Sequence, residues 1–235
     1  MESSNNEPGT VLLAGIVGST AYGLAGPDSD VDRLGVFAAP TLSLLGLEAP
    51  ALSKVTTAPD VSLHEAGKAA RLLLSANPTI TELLWLPDHL YEQRTGLGAE
   101  FVEIRSAFLS SARVRDAYLG YASQQFRKLA SRGDGTFSSD VRKRTAKHAR
   151  HLKRLVDQGF GVYATGSLTV RLDDPESYLS FGERTAADPE SAQSVLADAQ
   201  DRFDRTRSAL PAEPDRGRVQ DWLLRVRNAL WLRDS

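Results

Sequence analysis

Val11-Leu12-Leu13-Ala14-Gly15-Ile16-Val17-Gly18-Ser19-Thr20-Ala21-Tyr22-Gly23, followed after a short loop by Ser29-Asp30-Val31-Asp32 and Leu34-Gly35-Val36-Phe37, decides how this chain reads. Val11 to Val17 is short, apolar and rich in β-branched and aliphatic residues, which at this length favours a buried strand over a helix. The strand stops at Gly18, where a small residue lets the main chain approach a bulky ligand. If Ser19 opens a helical turn, its free N–H groups face outward and form a seat for phosphate, so Gly18 and Ser19 are candidate phosphate-binding residues. Gly26-Pro27-Asp28-Ser29 carries turn punctuation, and a second strand is expected to begin near Val31. On that strand Asp30 and Asp32 are two residues apart, and the period of two would point both carboxylates to one face. Paired carboxylates stay ionised most easily around a divalent cation, and ligands that are all oxygen suit Mg²⁺ or Mn²⁺ better than zinc. A phosphate seat beside such a pair is the layout that holds a nucleoside triphosphate for phosphoryl or nucleotidyl transfer.

A Gly-Ser, a short interval and then Asp-x-Asp on the next strand resembles the nucleotidyltransferase superfamily that includes DNA polymerase beta. The fuller form, Gly18-Ser19-x-x-Tyr22-Gly23 with Ser29-Asp30-x-Asp32-x-x-Gly35-Val36-Phe37, is similar to its RNA-repair-pathway-associated branch. Further along, Asn77-Pro78-x-x-x-Glu82-Leu83-Leu84-Trp85, Lys147-His148-Ala149-x-His151-x-x-Arg154-Leu155, Ser180-Phe181-Gly182-Glu183 and Leu210-Pro211 through Pro214-Asp215 resemble the same branch. The resemblance thus covers nearly the whole chain.

It implies a metal-dependent enzyme that moves a nucleoside monophosphate from a triphosphate such as ATP to a hydroxyl, releasing pyrophosphate. An RNA 3′ end is the first acceptor expected. A small molecule or a protein as acceptor, a nucleic-acid-binding module without catalysis, and a nucleotide sensor are the alternatives. The resemblance also implies a third carboxylate on a neighbouring strand. Asp60 and Glu65 are the nearest candidates, and Ser62-Leu63-His64-Glu65 has the form of a capping box, which leaves Asp60 for the metal. The catalytic and metal-binding set is therefore Asp30, Asp32 and Asp60.

Charge is distributed unevenly. Residues 1–101 carry 5 Lys/Arg against 12 Asp/Glu, residues 102–160 carry 13 against 5, and residues 161–235 carry 10 against 13. An acidic segment next to a basic one suits a triphosphate or a nucleic-acid strand, with metal neutralising one side and cations the other. The basic segment is read as a helix capped by Asp140, ending near Gln158 and stopped by Gly159. On it Arg144, Lys147, His151 and Arg154 share one stripe. Lys147, His151 and Arg154 are expected to contact triphosphate or polynucleotide, and Arg171 is a further candidate to face the site.

The fold class expected is α+β. An N-terminal nucleotidyltransferase lobe over 9–95, with a small mixed sheet flanked by helices, precedes a mainly helical domain over 96–235. Asp88 to Gly98 is the expected linker. Thr79 to Glu82 reads as a second capping box, giving Glu82 a structural task. Helices are expected through Phe101 to Leu109, through Val114 to Leu129, over 189–209 and over 220–232, with a loop at 131–139. The sequence has no cysteine, which excludes disulfides and thiolate-held zinc, and its four histidines are too scattered for a zinc cage. No apolar run has the length of a membrane span and Met1 to Pro8 lacks signal-peptide character, so a cytoplasmic protein without a membrane partner is expected.

Overall fold

A computed structural model describes residues 9–27, 29–130 and 139–231. The chain opens with β1 (Thr10–Ile16), α1 (Gly18–Tyr22) and β2 (Arg33–Ala38). Strands β3 (Ser53–Thr57) and β4 (Asp60–Glu65) form a hairpin, followed by α2 (Ala66–Leu74), α3 (Pro78–Leu83) and β5 (Tyr91–Arg94). Helices α4 (Gly96–Glu103), α5 (Ser111–Ala130), α6 (Ser139–Thr165), α7 (Pro175–Ala187), α8 (Ala192–Arg205) and α9 (Arg216–Ala229) complete the chain. This is an α+β architecture in which a mixed five-stranded sheet, ordered β3-β4-β2-β1-β5, leads into a helical region.

The apolar run at the start of the sequence forms an interior strand because both its neighbours are strands: β2 and β5 flank β1, both antiparallel. Leu12 and Leu13 are buried accordingly. β2 is paired on its other side, in parallel, with β4, from Arg33 opposite Val61 to Phe37 opposite Glu65. Parallel neighbours need a crossover, here supplied by residues 39–52, with a short 3₁₀ turn at Leu42–Leu44, and by β3. The starts of β2 and β4 therefore lie side by side, at the sheet end where β1 hands over to α1.

In the helical region α5 and α6 pack along each other, with α7 against α6 and α8 against both. α6 buries Ala149, Leu152, Leu155 and Val156, while its basic residues Arg142, Lys143, Arg144 and Lys147 stay exposed. α9 turns back to α2 and α4. There Trp222 stacks on Phe101 with ring centroids 4.0 Å apart and donates its indole N–H to the Leu97 carbonyl at 3.0 Å.

Several local expectations change. Gly159 does not stop α6: it lies inside the helix, where a Cβ would sit 2.5 Å from the Cβ of Tyr118, so it is the point of closest approach to α5. The helix continues to Thr165, and Gly166, with φ of 76°, follows it. α6 also begins at Ser139, one residue before the expected cap. The expected linker at Asp88 to Gly98 contains β5, which hydrogen-bonds to β1 and makes a sheet edge. Ser62 to Glu65 is strand, and Glu65 itself caps α2 by accepting from the Gly67 N–H at 2.7 Å. Asn77, not Thr79, caps α3. The helix read through Phe101 to Leu109 is α4 followed by a 3₁₀ turn at Arg105–Phe108. Residues 131–138 of the expected loop, Asp28 of the expected turn and Leu232 of the last expected helix lie outside the described residues.

Candidate active site at the sheet end

Asp30 and Asp32 sit just ahead of β2, which begins at Arg33, so neither lies on the strand itself. What positions Asp32 is the neighbouring β1–α1 corner. Its carbonyl accepts the Val17 N–H at 2.9 Å. Gly18, at φ of 69°, lies so close that a Cβ on it would be 2.1 Å from Asp32 Oδ2. Only glycine meets both demands. α1 follows at once, opened by Gly18 and Ser19, and its N-cap residue Val17 contributes no side-chain hydrogen bond, leaving the first N–H groups of the turn uncapped. The expected contact between a Gly-Ser corner and Asp32 is thus present.

Asp60 is the first residue of β4. Since Arg33 pairs with Val61 in parallel register, the residues immediately before them, Asp32 and Asp60, come to lie next to each other. Electrostatics report the same proximity. Partial burial raises the pKa of Asp32 above its ordinary value, the Asp60 charge raises it further, Lys147 lowers it, and Asp30 adds a smaller upward push. Three separate stretches of the sequence, at 30–32, at 60 and at 147, therefore share one electrostatic environment.

This donor set fits a hard divalent cation. It offers only oxygen ligands and carries three acids against one facing cation, an excess of negative charge that such an ion would balance. As the side chains stand, no three His, Cys, Asp or Glu groups among the described residues already converge on one point.

The basic stripe of α6 divides in two. Lys147 is exposed and acts on Asp32 across the corner, and it has no ion-pair partner among the described residues. Arg171 is also exposed, its guanidinium carbon 3.4 Å from where a Cβ on Gly23 would stand, at the far end of α1. Arg154 and His151 are different and correct the expectation of a ladder of free cations. Arg154 is only 3% exposed. It is ion-paired to Glu82, donates to Gln158 Oε1 at 2.6 Å, and lies over the Tyr22 ring with its guanidinium carbon 4.0 Å from the centroid. His151 receives an Arg154 N–H on Nδ1 at 2.9 Å. Burial first, and then the charges of Arg154, His148, Lys128 and Lys147, push its pKa down to about 3, so the ring is neutral near pH 7.

Glu82 is the residue whose task the sequence misplaced. It caps nothing; it is buried, 2% exposed, and accepts from Arg154 and from the Tyr22 hydroxyl, the latter at 2.5 Å. Gln158 extends the cluster by donating to the Thr169 and Val170 carbonyls, each at 3.0 Å. The Leu172 N–H donates to the Tyr22 carbonyl at 3.1 Å. The end of α1, helix α6 and the irregular segment bearing Arg171 are thereby tied together. Tyr22 and Glu82 stood in two of the stretches that carried the family resemblance, the one signal that could have marked them.

A Gly-Ser turn after the first strand, an acid pair before the second and a further acid on a parallel neighbour define the polymerase-beta-like class of nucleotidyltransferase folds. The chain belongs within it to the RNA repair pathway DNA polymerase beta family, RlaP, whose family model matches residues 1–166. No curated protein matches the chain. No helix among the described residues is long and apolar enough to cross a membrane.

Proposed function

We propose that the protein is a metal-dependent nucleotidyltransferase that transfers a nucleoside monophosphate from a nucleoside triphosphate, ATP among them, to the 3′ hydroxyl of an RNA end. The observation that carries this reading is the convergence of Asp32, Asp60 and the Gly18–Ser19 corner at one end of the sheet, with Lys147 facing them. Membership of an RNA-repair family supports the acceptor. Residues 9–95 would form the catalytic unit and residues 96–235 the helical one that supplies Lys147.

Asp30, Asp32 and Asp60 would hold Mg²⁺ or Mn²⁺, and the bound ion supplies Lewis-acid polarisation of the phosphate oxygens. The uncapped N–H groups of Gly18 and Ser19 orient the triphosphate, and Lys147 offsets its charge from the opposite side. The acceptor oxygen bonds to the α-phosphorus in line with the bond to pyrophosphate, which breaks. Asp60 takes the hydroxyl proton. Glu65 has no part in this: it is occupied as the α2 cap and by two hydrogen bonds from Arg227, at 2.5 and 3.1 Å.

The test is release of pyrophosphate from each of the four ribonucleotides with Mg²⁺, with and without RNA bearing a free 3′ hydroxyl, followed by the mass of the RNA. The reading expects release that depends on RNA, and product one nucleotide longer. Release without RNA extension would move the acceptor to a small molecule or protein. Nucleotide binding without any release would leave a sensor.

A further inference from the structure

His151 lies one turn along α6 from Lys147, on the same stripe, half-buried and bonded through Nδ1. A guanidinium can only donate, so Nδ1 must accept, and in a neutral imidazole the proton then sits on Nε2. We infer that His151 is a neutral hydrogen-bond donor, fixed as the Nε2–H tautomer by Arg154 and aimed at an acceptor atom of the bound nucleotide, and that Arg154, Glu82 and Tyr22 are positioning residues that hold it so. The assignment of the ligand rests on the nucleotidyltransferase reading; the assignment of the tautomer does not.

The geometry leaves little freedom. Arg154 is immobilised on three sides, by Glu82, by Gln158 and by the face of Tyr22. Glu82 is immobilised by the Tyr22 hydroxyl, and Gln158 by two main-chain carbonyls. The nitrogen that Arg154 presents to His151 is therefore set by groups from α1, α3 and the 169–170 segment. The charged and titratable groups that act on His151 are Arg154, His148 and Lys147 on its own helix and Lys128 on α5, three of them fixed cations. Glu82 of α3 reaches it through Arg154. A positive charge on this largely buried ring would face Arg154 with no acid bonded to the ring among the described residues, and this is why charge is excluded there. A neutral donor beside Lys147 divides the work on a nucleotide: Lys147 contributes charge and His151 contributes direction.

The tautomer is read from the imidazole ¹⁵N shifts of the intact chain, assigned with His151→Gln, between pH 5 and pH 8. The expected result is one pyrrole-type Nε2 and one pyridine-type Nδ1 across the whole range. An imidazolium forming with a midpoint near 6.5, or the Nδ1–H tautomer, overturns the inference. The ligand is read from the affinity for ATP with Mg²⁺ in His151→Gln, which keeps a neutral N–H donor, and in His151→Lys, which restores charge. Gln is expected to weaken binding by about threefold and Lys by about tenfold or more, the range of one neutral hydrogen bond and of an added buried charge. Lys equal to or better than Gln overturns it. If the unsubstituted chain binds no nucleotide, the nucleotidyltransferase reading fails and the ligand assignment with it, while the ¹⁵N spectrum still decides whether Arg154 sets the ring.

Discussion

Lys147 and Arg154 stand on one stripe of α6, about 10 Å of helix apart, and the chain uses charge in opposite ways at the two places. At the sheet end Asp32 feels the charges of Asp60 and Asp30 with Lys147 as the facing cation, and partial burial together with the repulsion from the two other acids shows in its raised pKa. At the Glu82 cluster both carboxylate oxygens of Glu82, both terminal nitrogens of Arg154 and the side-chain amide of Gln158 have partners within the protein. Buried, satisfied charge resists rearrangement but has nothing left for a substrate. Acids left with excess charge lower stability and are available to a ligand. The difference teaches that a residue of a recognisable motif can be spent on the frame: Tyr22, Glu82 and Arg154 bond to one another, while under the proposed function Asp32 and Lys147 are the groups that face the nucleotide.

The largest effect is expected where closed charge is opened. Glu82→Ala leaves Arg154 buried without its counter-ion and should lower the free energy of unfolding by about 3–5 kcal/mol, measured by urea denaturation. A loss below about 1 kcal/mol would mean that Arg154 finds water and that the cluster is not closed. Asp32→Asn is expected to act the other way round: pyrophosphate release should fall by about 10²-fold or more, while unfolding stability holds or rises because the repulsion from Asp60 is relieved. Activity retained by Asp32→Asn would erase the contrast between the two regions.

These differences were unequally legible in the sequence. Gly18, Ser19, Asp30 and Asp32 form one local pattern, and the strand before it is apolar enough to be recognised by itself. The α+β order of elements was readable for the same reason. Asp60 was reached only through the resemblance, since a turn aspartate after Pro59 looks like any other. Ser62 to Glu65 satisfied a capping-box pattern, yet pairing on both sides with β2 and β3 drew Ser62, Leu63 and His64 into a strand. β5 was hidden because four residues at a sheet edge, mostly exposed, carry no apolar signal. Helical spacing correctly put Lys147, His151 and Arg154 on one stripe. It could not show that Glu82, 72 residues earlier, covers the lower end of that stripe. Gly159 misled for a related reason: a glycine inside a helix reads as a stop until the ring of Tyr118 on the next helix is seen against it.

Smaller effects separate the open region's cation from the closed region's histidine. Lys147→Ala should weaken ATP binding by about tenfold, or 1.4 kcal/mol, and reduce the dependence of binding on salt, while leaving the unfolding midpoint in place. A stability loss without a change in affinity would assign Lys147 to the frame instead. The remaining effect is confined to acid. In the unfolded chain His151 binds a proton below about 6.5, whereas in the folded chain it does so only near 3. Between those values the unfolded state holds more protons, so stability rises with pH across this window and is lost as pH falls through it. His151→Gln should flatten that slope between pH 6 and pH 4, as followed by denaturant midpoints; the slope left over includes His64, whose pKa burial and Lys68 also lower. An unchanged slope would mean that His151 is not shielded from protons.

The most direct test is the binding of Mn²⁺, followed by loss of the free-ion electron paramagnetic resonance signal, in the unsubstituted chain, Asp32→Asn and Asp60→Asn. If the three acids at the sheet end form one metal site, each substitution weakens binding by about tenfold or more while the fold stays intact. Equal Mn²⁺ binding by all three proteins would contradict the account.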